Sequence, residues 1–189
     1  NYISTTNDGS VSEQIFVNGN ITAAQAASLA AKLSTESSTI YLFAAVTATA
    51  AATLVSDLTD SSHNKLTITV GTGAGSSATA AQLNAIKGKT TESVRTGNIT
   101  TVTGNISDMS TFIGSITSYI ENDGLTARAE TNYTFTPTSA TQSAADLNTL
   151  NGVATNISLT NVTTISSSSL SNLDTLATAI GNNEFTNDD

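Results

Sequence analysis

The sequence predicts an α/β protein built as a solenoid-like stack, with one short strand and one short helix per repeat of about 30 residues. Three observations predict it. A phrase returns: TAAQAASL at 22–29, TAAQLNAIKG at 79–88 and SAADLNTLNG at 143–152. Residues 80–103 and 144–166 align almost without gaps. Between the helical phrases lie short runs of β-branched and aromatic residues.

The alignment is close in detail. Ala80, Ala81, Leu83, Asn84, Ile86 and Gly88 match Ala144, Ala145, Leu147, Asn148, Leu150 and Gly152, and NITTVT (98–103) matches NVTTIS (161–166). The separation is 63 to 64 residues, which is read as two units rather than one. About six units then fill residues 1–181 as a single repeat-built domain, and 182–189 form a polar tail or linker.

Strands are expected at 14–17, 39–43, 65–70, 98–103, 132–136 and 161–165, with a last one at 183–186. Short extra strands are expected at Val94 and at 157–159. Helices open on capping signals: Thr22-x-x-Gln25, Thr79-x-x-Gln82, Ser143-x-x-Asp146 and Ser171-x-x-Asp174. In such a box the side chains satisfy amides that the first helical turn leaves unpaired. Apolar residues follow at helical spacing, as in Leu29 with Leu33, Leu83 with Ile86, and Leu173 with Leu176 and Ile180. Gly88, Gly124, Gly152 and Gly181 stand where left-handed helix ends are expected. Residues 105–139 depart from the pattern, and ISDMSTFIGSITSYIENDG reads as a longer helix. The paired alanines at several helix starts allow close approach to the sheet beneath. A doubly wound α/β domain is the competing architecture, but it calls for longer apolar strands and a ligand crevice.

Composition bounds the function. Charged residues are 11% of the chain, the net charge is −9 and the pI about 4.2. Six scattered Lys and Arg give no basic stripe, so nucleic acid is not an expected partner and an anionic membrane would repel the surface. The absence of cysteine excludes disulfides and thiolate chemistry. The most apolar run, 40–55, is too short and too rich in Thr to span a membrane. Few Lys, 60 Ser and Thr among 189 residues, and an acidic pI suit an exported surface protein. No charged segment followed by an apolar one opens the chain, and Asn1 suggests processing or excision from something longer.

Motifs with chemistry are few. TVGTGAGSS (69–77) lies between a predicted strand and a helix, as a phosphate-binding loop would. The third glycine of that fingerprint is replaced by Ser76, and no Gly-Lys-Ser/Thr follows. His63, the sole histidine, sits in a polar loop without a nucleophile elbow. TNDG (6–9), ENDG (121–124) and TNDD (186–189) hold oxygens suited to a structural calcium ion, the one cofactor considered, yet equally suited to turns. Thr67 with Thr69, Thr101 with Thr103, and Thr134 with Thr136 straddle one residue in predicted strands, so each pair shares a face. Stacked, they would form ranks able to meet an ordered surface.

The unit SAADLNTL…G…TT resembles repeats in very large cell-surface proteins of marine cyanobacteria and in fibre-like proteins of their phages, chiefly over 79–103 and 143–166. That resemblance implies a structural or adhesive role and no catalytic residue. The expected function is therefore a non-enzymatic, extracellular, cell-surface or virion-fibre segment that self-associates or meets a glycan or other surface polymer. A glycan- or ice-binding module using the Thr ranks is the first alternative, and a nucleotide-binding Rossmann-like domain the second.

Overall fold

Described over residues 2–6, 14–36, 40–59 and 64–186 in a computed structural model, the chain is mixed α/β, with parallel sheets and short helices. In order the elements are β1 (Tyr2–Thr6), β2 (Gln14–Ile21), α1 (Ala23–Glu36), β3 (Tyr41–Thr49), α2 (Ala51–Asp57), β4 (Asn64–Val70), β5 (Ser76–Thr79), α3 (Ala80–Lys87), β6 (Val94–Arg95), β7 (Ile99–Gly104) and α4 (Ile106–Gly114). There follow β8 (Tyr119–Ile120), β9 (Thr134–Pro137), β10 (Thr141–Ser143), α5 (Ala144–Asn151), β11 (Ile157–Ser158), β12 (Thr164–Ser166), α6 (Leu170–Gly181) and β13 (Phe185–Thr186).

Six strands form one open sheet in the order β1-β2-β3-β4-β6-β8. Five form another, β13-β11-β9-β7-β5, and β10 pairs with β12 alone. Only β1 with β2 is antiparallel among the named pairs. Burial alternates along β4, where Asn64, Leu66, Ile68 and Val70 point inward. In the five-stranded sheet Ala78, Val102, Phe135, Ile157 and Phe185 stand in register as one buried column. Phe185, inside the stretch expected to be a polar tail, thus belongs to this column.

Helix follows helix in contact, α1 on α2, α2 on α3, and so on to α6. Their first residues are 23, 51, 80, 106, 144 and 170. Four of the five intervals are 26 to 29 residues, and the fifth, between α4 and α5, is 38. The 64-residue separation of the aligned segments spans two helices, from α3 to α5. Hydrogen bonds recur at that offset. Asn84 Nδ2 donates to the Asp108 carbonyl and Asn148 Nδ2 to the Asn172 carbonyl, both at 3.0 Å. Thr96 N donates to Ile120 O and Leu159 N to Thr186 O, both at 2.9 Å.

The helix starts follow from their caps. Thr22 with Gln25, and Thr79 with Gln82, form reciprocal capping boxes. Ser143 Oγ accepts from Asp146 N at 3.0 Å. The expected Ser171 cap is corrected: Ser169 caps α6, accepting from Asn172 N, so the helix starts earlier. Asn105, not foreseen, caps α4. The glycine reading is also corrected. Gly88 and Gly152 are right-handed, with φ of −69° each, and Gly124, with φ of +79°, lies in a loop rather than at a helix end.

The longer helix expected after residue 105 does not form. Helix α4 stops at Gly114, Ser115 Oγ bonds back to the Thr111 and Phe112 carbonyls, and a short 3-10 turn leads into β8. The reason is Tyr119, wholly buried with its hydroxyl on the Leu83 carbonyl at 3.1 Å, a placement that needs extended backbone. Phe112, Tyr119, Tyr133 and Phe135 gather there, the Phe112 ring lying 4.7 Å from Tyr119, 5.2 Å from Tyr133 and 6.3 Å from Phe135. Replacing Phe112 with Ala is expected to cost about 3–5 kcal/mol, read from the urea midpoint, because the cluster cannot collapse into the cavity.

Candidate functional site

Each threonine expected in the ranks is half-buried on a strand. The structure brings four of the six together. Thr101 faces Thr134 and Thr103 faces Thr136 across β7 and β9. The ranks continue onto β5, where Ser77 pairs with Thr101 and Thr79 with Thr103. Strand spacing and pleat set a grid of roughly 4.8 Å by 6.8 Å. The hydroxyls of Thr101, Thr103, Thr134 and Thr136 bond to no other group among the described residues, whereas Thr79 accepts the Gln82 amide. Thr67 and Thr69 do not join this grid. They lie on β4 in the six-stranded sheet, opposite Ala45 and Arg95. The Ser77 and Thr79 rungs were legible only as the polar stretch before the recurring helix phrase.

A different patch marks the six-stranded sheet. Phe16 and Phe43 stack at 4.7 Å with planes 20° apart, and Lys65 Nζ, in an ion pair with Glu92, lies 5.7 Å from the Tyr41 ring centroid. Between α4 and α5 a cleft of about 820 Å³ opens, lined among others by Asn105, Asp108, Ser110, Gln142, Asp146 and Thr149. Both of its carboxylates serve the helix starts, since Asp108 accepts from Asn105 Nδ2 and Asp146 from Ser143 Oγ, each at 2.7 Å.

The glycine-rich stretch 71–75 does not stand at a helix N-terminus. Strand β5 separates it from α3, whose first amides are taken by its capping box. Gly71 and Gly75 have φ of +88° and +82°, and the Gly71 carbonyl accepts from Asn98 Nδ2 at 2.8 Å. These residues form a connector between two sheets. Within ENDG, Asp123 takes bonds from the Thr126 hydroxyl and the Thr126 and Leu125 amides, which hold its carboxyl near a pKa of about 2. His63 lies outside the described residues, as do most of TNDG and TNDD. Among the described residues no three His, Asp or Glu come together to hold a metal ion.

Sequence reasoning missed Arg128, the one buried cation among the described residues. It follows a loop that turns back at Ile120 and Ala127. Its guanidinium donates to Glu121 at 2.7 Å, to the Ile99 carbonyl at 2.7 Å and to Tyr133 Oη at 3.1 Å, and lies over the Tyr133 ring at 4.5 Å. Tyr133 Oη also meets Thr96 Oγ1 at 2.7 Å. Nothing periodic announces Arg128, because it fixes an interruption of the pattern.

Comparison with family models, curated proteins and solved structures finds no match. No described helix is long and apolar enough to cross a membrane.

Arg128→Ala is expected to lower stability by about 2–3 kcal/mol, since the Ile99 carbonyl and Glu121 lose a charged donor. The variant is compared with the parent chain by urea unfolding. Burial pushes the Tyr119 and Tyr133 hydroxyls above the ordinary tyrosine range, against the hydrogen bonds that lower them. The folded state then keeps protons that the unfolded chain releases above about pH 10. Stability is level below that pH and falls as pH rises towards the folded values, by up to about 1.4 kcal/mol per unit for each tyrosine. Urea midpoints from pH 8 to 11.5 measure the slope, and Tyr133→Phe lessens it.

Proposed function

We propose that the chain is a non-enzymatic structural or adhesive segment of a cell surface, surface layer or virion fibre, its strand–helix units stacked as a solenoid. The recurrence of register and hydrogen bonds at one offset supports this most directly. Val94 opposite Tyr119 corresponds to Ile157 opposite Phe185, and Ala78 opposite Val102 to Gln142 opposite Ile165. In a stack each unit lies on the one before, and load passes along strand ladders and helix contacts from unit to unit. The composition agrees: few charges, many hydroxyls and small residues at the helix contacts. The resemblance of the repeated phrase to giant surface and fibre proteins points the same way. Self-association is part of this reading. Negative-stain electron microscopy of the purified chain tests it, with filaments, sheets or stacked particles expected. Single particles at every concentration would count against assembly.

The hydroxyl grid favours a second reading, recognition of a glycan or of ice by Thr101, Thr103, Thr134 and Thr136. Thr101→Val with Thr134→Val removes two hydroxyls and keeps the shape. On a glycan array, or in a thermal-hysteresis assay, the pair is expected to weaken binding about tenfold, as two lost bonds of about 1 kcal/mol each imply. Silence of the parent chain in both assays would dismiss this reading. The connector at 71–75 lends the nucleotide-binding alternative no support, since it presents no helix N-terminus to a phosphate.

A further inference from the structure

The two aligned halves differ in cover at corresponding residues. At the offset of 64, Ile106 and Met109 of α4 correspond to Leu170 and Leu173 of α6. Ile106 is 7% exposed and Met109 0%, whereas Leu170 is 84% exposed and Leu173 39%. In the strands, Val102 of β7 corresponds to Ile165 of β12, and their exposures are 0% and 37%. The residues on the inner side agree instead, for Phe112 and its counterpart Leu176 are both buried. Helix α6 thus has the core face of α4 and the covered face of α4, but only the first is covered.

The neighbours explain the difference. Helix α4 packs between α3 and α5, and β7 is paired on both edges, with β5 and β9. Helix α6 packs on α5, and β12 pairs with β10 alone. Exposed strand edges are usually blunted by lysine, proline or inward charge. Residues 164–181 contain no Lys, Arg or Pro and a single acidic residue, Asp174. An edge of this kind beside exposed leucines is built to be met by another element.

We propose that the α6–β12 face is the docking surface for a further unit of this same class, following in the same polypeptide and seated as the second half seats on the first. The occupant would add a parallel strand to β12. Its helix, opening on paired small residues as α5 does with Ala144 and Ala145, would cover Leu170 and Leu173. The inference rests on the stacked reading above, and continuity with the α4–α5 contact selects this occupant.

The test lengthens the chain by a second copy of residues 123–186 joined after Thr186, which continues the 64-residue offset. Leu170→Glu is expected to leave the thermal midpoint of the 189-residue chain within about 1–2 °C, as exposed substitutions do. In the lengthened chain it should lower the midpoint by several degrees, approaching the effect of Ile106→Glu. Hydrogen exchange gives an independent readout: the β12 amides should slow at least about tenfold on lengthening. If Leu170→Glu is equally mild in both chains and β12 exchange is unchanged, while Ile106→Glu is severe, the docking surface is refuted and the stack stands. If Ile106→Glu is also mild, the stacked reading itself fails. Concentration-dependent dimers of the 189-residue chain that Leu170→Glu dissociates would make a second copy the occupant and overturn the proposal.

Discussion

Ala78, Val102, Phe135, Ile157 and Phe185 come from five strands spread over more than half of the chain, yet they meet as one column. Everything else leans on this pairing between distant segments. Strands β6, β8, β11 and β13 have two residues each, too few to hold together alone. Helices α2, α3 and α5 have seven or eight residues and would be marginal in isolation. With no disulfide to restrain the ensemble, each short element persists because the next one removes its apolar face from water.

The pairing shifts once, at the seam between the aligned halves. By correspondence β9, β11 and β13 match β4, β6 and β8, but they extend the sheet of β5 and β7 instead. The insertion between β8 and β9 accounts for the change. It folds back so that Ile120 pairs antiparallel with Ala127, and that bridge occupies the side of β8 where another parallel strand would go. Arg128 then anchors the crossing by gripping the Ile99 carbonyl of β7 and the Tyr133 ring just ahead of β9. The charge survives burial because Glu121, two carbonyls and a phenol surround it. The 38-residue interval from α4 to α5 and the cleft beside α5 both belong to this seam.

What was legible follows the same division. Regular parts declare themselves by repetition, so the strands at 65–70 and 98–103, the two short extras at Val94 and 157–159, and two reciprocal capping boxes could be read from residue types alone. Strands β5, β8 and β10 could not. SSAT, YI and TQS have no alternation long enough to see, and they become strands only because a partner presents an edge. The Thr ranks were half legible: spacing puts two threonines on one face of a strand, but register between strands decides which pairs meet. That register sends Thr67 and Thr69 to the other sheet. The end of α4 was illegible because ISDMSTFIGSITSYI keeps helical spacing past Gly114, and burial of Tyr119 beside Leu83 outweighs it.

Asn84 and Asn148 show why the phrase LN recurs inside an otherwise apolar helix face. Each donates from Nδ2 to a first-turn carbonyl of the following helix, and each leaves a buried Oδ1 without a partner. An unsatisfied buried acceptor costs stability, so its appearance twice at one place calls for a reason. The receiving carbonyls, of Asp108 and Asn172, have a second lone pair to offer beside their own helical bond. A slip of one residue along the helix axis is about 1.5 Å, enough to break such a bond. Leucine and alanine contacts are tolerant of that slip, because apolar surface has no direction. The asparagine is the directional element between helices α3 and α4 and between α5 and α6. It exchanges some stability for a fixed axial register, and the strand ladders on the far side of each unit stay in step only when that register holds.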